Sequence, residues 1–200
     1  MDAPSQRSRH RIFEAALSRF ASAGFHETSM RDVASGACAS LEEVFRWFPR
    51  KEDFVLALYG RLAADLEARV VELPAGKVAD RFRAAMDAKI DLVAPHRKTL
   101  GALFAAALDP ARQLGVLGEH TEAVRTRVRG VFASVVLGAT DRPKPDAAGA
   151  IVRLLYGLHL GLILFWTQDR SEGLTSTRRA IELARAYSGE AGKNFLLAQG

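Results

Sequence analysis

The sequence predicts an all-α protein of about nine helices, a small three-helix head followed by a larger helical domain. Three observations predict it. Apolar residues recur at three- and four-residue steps through most of the chain. Strand signals are missing: Val and Ile keep helical spacing, and the Asn-Gly hairpin pair never occurs. Glycine and proline cut the apolar stretches where helices stop: at Gly24, Pro49, Leu73-Pro74-Ala75-Gly76, Asp109-Pro110 and Gly138 to Pro145.

In order, the first helix is expected from Gln6 to Ala23, with Ile12, Ala16, Leu17 and Phe20 as its inner stripe and Gly24 ending it. The next stretch, Thr28 to Lys51, organises the head. Thr28 or Ser29 caps a short helix whose Met30, Val33, Ala34 and Ala37 share one face. Cys38 and Ala39 make a turn. Ser40 caps the next helix, with Glu43 at the capping-box spacing and Val44, Phe45 and Phe48 directed inward. Pro49 ends it, because the residue before a proline avoids the helical region. Two short helices across a tight turn form a helix-turn-helix, whose second helix enters the DNA major groove.

A long helix follows from Lys51 to Glu72, with Phe54, Leu58, Leu62 and Leu66 on one face. The organisation expected is a DNA-binding domain over 1–51, the connecting helix 51–72, and an effector-binding and dimerisation domain over 73–200. Further helices are expected at Val78–Val93, from Pro95 to Ala107, at Glu119–Leu137, at Asp146–Gln168 with Asp146 as cap, and at Thr175–Tyr187. Residues 111–118 read as a short helical turn, and Gly189 and Gly192 as a loosened tail.

Arg9 to Tyr59 resembles the N-terminal DNA-binding domain of the TetR/AcrR transcriptional regulators. The matching residues are Ile12, Ala15, Ala16, Leu17, Phe20, Ala23-Gly24-Phe25, Thr28-Ser29, Val33-Ala34, Ala37, Ser40 and Phe48-Pro49-Arg50-Lys51-Glu52. The resemblance implies a regulator, expected to be a repressor, that grips a palindromic operator in double-stranded DNA as a homodimer. Arg9, Thr28 and Lys51 are expected on phosphates, and Ser40, Leu41, Glu42, Arg46 and Trp47 in or beside the groove. The sequence departs from the family at four places. Cys38 stands where glycine is usual, Phe45 replaces a phosphate-binding tyrosine, Trp47 a common histidine, and Glu42-Glu43 bring negative charge to the helix start. These departures motivate a second reading, a degenerate helical dimer with little DNA binding that acts through a ligand or partner.

Composition narrows the alternatives. The chain of 200 residues is 48% hydrophobic, enough for a sizeable core, and its net charge is +5. Only eight of its 28 basic residues and six of its 23 acidic ones fall in 1–51, so charge alone does not mark the head. Arg7, Arg9 and Arg11 do cluster ahead of the first apolar stripe; on charge alone this is equally a solvated tail, and beside a helix-turn-helix it is favoured as an arm for phosphates or a minor groove. One cysteine excludes an internal disulfide and fits a reducing cytoplasm. The N-terminus lacks a signal-peptide pattern, and the apolar run Leu154 to Trp166 is short for a membrane span. No glycine-rich phosphate loop or His-Glu-x-x-His pattern occurs and the five histidines are scattered, so neither an enzyme nor a metal or other cofactor is expected.

In the second domain, Asp146–Gln168 is apolar nearly all round from Leu154 onward, and Gly157 and Gly161 leave room for another helix. Two placements are open, burial within one subunit or pairing with the last helix as half of a four-helix bundle across a twofold axis, and the second is the expectation. Candidate effector contacts are Met86, Phe104, Phe132, Tyr156, His159 and Trp166, which favour a hydrophobic small molecule. Each of them is more often plain core than a ligand contact, and a histidine such as His159 is more often satisfied by a backbone carbonyl or a subunit contact.

Overall fold

A computed structural model of the chain describes residues 3–101 and 121–197, with side chains from 5 to 189 among them. Among these residues every regular element is helical, and the one β-type contact is an isolated bridge between Gly76 and Ala139. The helices are α1 (Ala3–Ser22), α2 (Met30–Gly36), α3 (Leu41–Trp47), α4 (Lys51–Val71) and α5 (Val78–Val93). A 3-10 turn at Ala94–His96 leads into α6, described over 97–101, and another at Glu172–Leu174 precedes the last helix. Then come α7 (Glu122–Leu137), α8 (Pro145–Gln168) and α9 (Thr175–Leu197). Residue contacts divide the chain into two units. Met1–Arg61 with His96–Thr121 form the first, and Leu62–Pro95 with Glu122–Gly200 the second.

The first unit is built around aromatic rings. Phe48, after α3, stacks on Phe54 of α4 at 4.0 Å between centroids and on Phe13 of α1 at 6.1 Å. Phe20 meets Phe54 edge-on at 6.1 Å and Phe25 at 5.2 Å. Each such contact adds about 0.5–1.5 kcal/mol beyond the area it buries, so α1, α3 and α4 hold one another at fixed angles. Gly24, two residues past the end of α1, takes φ +102°, a left-handed conformation that glycine adopts without strain.

In the second unit, α5 packs on α9 and α7, and α8 packs on α7 and α9. Arg81 is 6% exposed yet satisfied. Its guanidinium donates to the carbonyls of Leu73 and Pro74 at 2.8 and 2.6 Å, and to those of Val135 and Ser134 at 3.0 and 3.3 Å. That fastens the breaker before α5 to the end of α7. Gly138 lies so close to this guanidinium that a Cβ there would collide with it. On the surface, Arg178 of α9 donates to Asp87 and Asp91 of α5, both at 2.8 Å. The turn from α8 to α9 is organised by buried Asp169, which accepts from the backbone and hydroxyl of both Ser171 and Thr177 at 2.6–2.8 Å.

Several expectations need correction. α1 begins three residues earlier than Gln6. The α8 cap is Lys144, with Pro145 at the first helical position, where its missing N–H costs nothing; Asp146 lies inside the first turn. α9 does not loosen at Gly189 but runs helical to Leu197. Gly189 lies against Ala79 of α5, with a would-be Cβ 3.6 Å from the alanine methyl, so packing holds a helix that propensity alone weakens. Phe45 is 44% exposed rather than core. Pro95 sits in the 3-10 turn ahead of α6. The helix containing Leu154 to Trp166 reaches 24 residues and is long and apolar enough to cross a membrane. Its Ile151, Leu155, His159, Leu162, Ile163 and Trp166 nevertheless form a buried stripe against α7 and α9. Phe104, Asp109-Pro110, residues 111–118, and the predicted ends of the sixth and seventh helices at Ala107 and Glu119 lie outside the described residues.

Candidate functional site

The helix-turn-helix is locked at each joint by its own sequence. Ser29 caps α2: its hydroxyl accepts from the Asp32 N–H, and the Asp32 carboxylate accepts from the Ser29 N–H at 2.8 Å, a complete capping box. The hydrogen bonds from Ser29 hold the Asp32 carboxyl below its ordinary pKa. After α2, Cys38 takes φ +48° and the Ala39 N–H donates back to Ala34 at 3.0 Å, which turns the chain sharply. Ser40 then caps α3 by accepting from the Glu43 N–H at 3.1 Å. The second half of that expected box is not made. The Glu43 carboxylate is taken by the hydroxyl of Ser8 on α1.

With Val44 and Phe48 buried beneath it, α3 presents the rest of its surface outward. Ser40, Glu42, Phe45 and Arg46 are exposed; Leu41 and Trp47 are half-buried. Arg46 and Glu42 pair one turn apart at 3.3 Å, with side chains 67% and 86% exposed. So open a pair is worth at most a few tenths of a kcal/mol, and both groups remain available to a partner. Arg9 is half-buried, its guanidinium 5.1 Å from the centre of the Phe48 ring. Lys51 donates to the carbonyls of His26 and Thr28 at 3.2 and 3.0 Å and lies 4.6 Å from the Phe25 ring centre. Thr28 is 2% exposed, and its hydroxyl donates to the Gly24 carbonyl at 2.7 Å. It braces the surface from beneath.

The second group of candidates lies in the second unit. Met86, Phe132, His159 and Trp166 are all at most 1% exposed, and Tyr156 is half-buried. Rings connect α5, α7 and α8 in sequence: Phe82 to Phe132 at 5.8 Å, Phe132 to His159 at 5.1 Å, and Tyr156 to His159 at 5.7 Å. One buried charged group here was not marked by the sequence reading, and it acts on His159, which was. Lys89 is 3% exposed on α5, and burial draws its ammonium down to about pKa 7. Its place three residues after Met86, on the same helical face, was the signal that marks it as inward. His159 is held well below its ordinary value, first by burial and then by the charge of Lys89. Among the described residues, no group of three or more His, Cys, Asp or Glu has the proximity to hold a metal ion.

Residues 12–58 match the family described as Bacterial regulatory proteins, tetR family. Residues 81–191, more than half of the chain, match that described as Tetracyclin repressor-like, C-terminal domain. The chain belongs to the TetR family. It is thus a DNA-binding helix-turn-helix regulator by fold and family. No curated protein matches its sequence. Solved TetR-family structures share its fold at low identity. Thermus thermophilus FadR, a TetR family transcriptional repressor in complex with lauroyl-CoA, is 21% identical with a TM-score of 0.69, over 90% of this chain and 92% of that one. Salmonella enterica GusR is 19% identical with a TM-score of 0.67, over 96% and 98%. A tetR-family transcriptional regulator from Streptomyces coelicolor is 24% identical with a TM-score of 0.64, over 99% and 90%.

Proposed function

We propose that this TetR-family chain is a cytoplasmic repressor that binds a palindromic operator as a homodimer and is released by a hydrophobic small-molecule effector. The observation that carries the DNA reading is α3. It is fixed from below by Val44 and Phe48 and capped by Ser40, and it offers Glu42, Phe45 and Arg46 outward as one rigid reading surface. Ser40, Leu41, Glu42, Arg46 and Trp47 are the groove-side set. Arg9 and Lys51 are the phosphate contacts, with Thr28 behind them.

The dimer reading has its own support. Leu164 and Phe165 of α8 and Leu183 and Tyr187 of α9 are 43–73% exposed. Among the described residues, no atom beyond the helix's own backbone comes within 4 Å of a Cβ placed at Gly157 or Gly161. Apolar surface with glycines four apart suits close packing of α8 and α9 on their counterparts in a second copy. The effector acts by binding one conformational state better than the other, which is all that release from DNA requires.

Genomic footprinting followed by anisotropy titration at low and moderate salt tests the proposal. A protected palindrome bound tightly, with a steep salt dependence, is expected. The exposed carboxylate of Glu42 favours the second reading, a helical dimer with little DNA binding. No binding even at low salt selects that reading.

A further inference from the structure

One side chain in the second unit is not accounted for by its packing. His159 is 1% exposed, and neither of its ring nitrogens has a hydrogen-bond partner. Whichever tautomer is present, a neutral imidazole offers one donor and one acceptor. Burying such a group unsatisfied is unfavourable. The Tyr156 carbonyl on the same helix draws the ring toward its charged form without completing a hydrogen bond.

The surroundings specify what would complete it. Phe132 of α7 and Tyr156 of α8 flank the ring at 5.1 and 5.7 Å and make an aromatic, largely apolar setting. Lys89 is near enough for its charge to act on the imidazole. The guanidinium of Arg129 lies 5.2 Å from the Tyr156 ring centre. An apolar setting with an N–H donor and a buried ammonium suits an acceptor of negative charge. It opposes a cation.

We propose that His159 and Lys89 are the polar end of the effector site, and that the effector is an apolar molecule carrying a carboxylate. One oxygen accepts from the protonated nitrogen of His159 and the other faces the Lys89 ammonium. An alcohol of the same skeleton reaches His159 without the charge attraction of Lys89, and an amine meets like charge. The inference deepens the effector-controlled reading and rests on it.

The test is calorimetric titration of the full chain with two series: decanoate, decanol and decylamine, then phenylacetate, phenethyl alcohol and phenethylamine. In at least one series the acid is expected to bind about tenfold or more tighter than the alcohol, with the amine weakest. Lys89→Met is expected to remove the preference for acid while leaving alcohol binding within about threefold. His159→Phe is expected to weaken acid and alcohol alike. An alcohol that binds as tightly as its acid, a preference that survives Lys89→Met, or no binding in either series overturns the inference. The wild-type ranking stands without any variant, so a variant that fails to fold does not block the test. Operator binding by the same ligand-free protein is measured in parallel. DNA binding without a preference for acid removes this inference alone; a preference for acid without DNA binding removes the repressor reading alone.

Discussion

Ser8 and Glu43, thirty-five residues apart in sequence, are joined by a hydrogen bond from the serine hydroxyl to the glutamate carboxylate. The contact ties the arginine-bearing start of α1 to the reading helix. It also settles where one of the two acidic groups at the α3 start goes. Glu43 is half-buried and held against α1, whereas Glu42 is fully outward.

Ser8→Ala leaves the Glu43 carboxylate unheld on the side where phosphates approach. Operator affinity is expected to fall by about two- to tenfold, with the larger loss at low salt, where like-charge repulsion is least screened. Glu43→Gln keeps an acceptor for Ser8 and removes the charge, so it is expected to bind more tightly than wild type. Anisotropy titrations at two salt concentrations check both. Tighter binding by Ser8→Ala would show that the carboxylate does not face DNA.

Cys38 is the exposed residue that turns the chain between α2 and α3, at φ +48°. A non-glycine residue in the left-handed region costs about 1–2 kcal/mol. Glycine removes that strain but loses about 0.5–1 kcal/mol through the freedom it gains when unfolded. Cys38→Gly is therefore expected to stabilise by a few tenths to about 1 kcal/mol, seen as a rise in Tm. A fall would mean that the cysteine side chain contributes packing greater than its strain.

Cys38 and Phe48 show what the sequence made legible. Both lie in a local pattern: a turn between two capped stretches, and an apolar residue at helical spacing before a proline. Local pattern also placed α4 and α5 within a residue of their ends. What escaped was set by distant partners. The Glu43 carboxylate chose Ser8 over its own cap. Phe45 follows helical spacing, yet α3 is only seven residues long and buries Val44, which leaves its neighbour Phe45 outside the buried face. Gly189 looked like a breaker because the Ala79 surface that receives it lies on α5. Lys89 kept the inward period, but its charge hid it among surface lysines.

Asp169 gives a pH dependence with a definite sign. Hydrogen bonds from Ser171 and then Thr177 hold its carboxyl well below the usual carboxylate range. A group depressed in the folded state stabilises above its unfolded pKa of about 3.9 and loses that contribution as pH falls through and below it. The turn from α8 to α9 is thus expected to weaken in acid. Asp169→Asn removes the charge that the four donors address, so its Tm is expected to lie below wild type at neutral pH. The gap is expected to narrow as pH drops below 4. Thermal melts at several pH values check this, and a gap that stays constant across the series would show that charge is not what the donors hold.

Leu183 is 73% exposed on α9 and Tyr187, one turn on, is 58% exposed. A twofold interface brings each such residue into the contact twice, once from each copy. Leu183→Glu therefore places two carboxylates in an apolar seam, where an uncompensated charge costs several kcal/mol. The dimer constant is expected to weaken by about 100-fold or more, seen as monomer in sedimentation at micromolar protein. α9 keeps its fold, because Ile181 and Ala184, which are buried, and Arg185, which pairs with Asp80 and Glu182, lie on its other side. A single head holds only one half-site, so operator binding should fall with dimerisation and recover as protein concentration rises. A Leu183→Glu protein that remains dimeric while α8 and α9 stay helical would place the subunit contact elsewhere on the molecule.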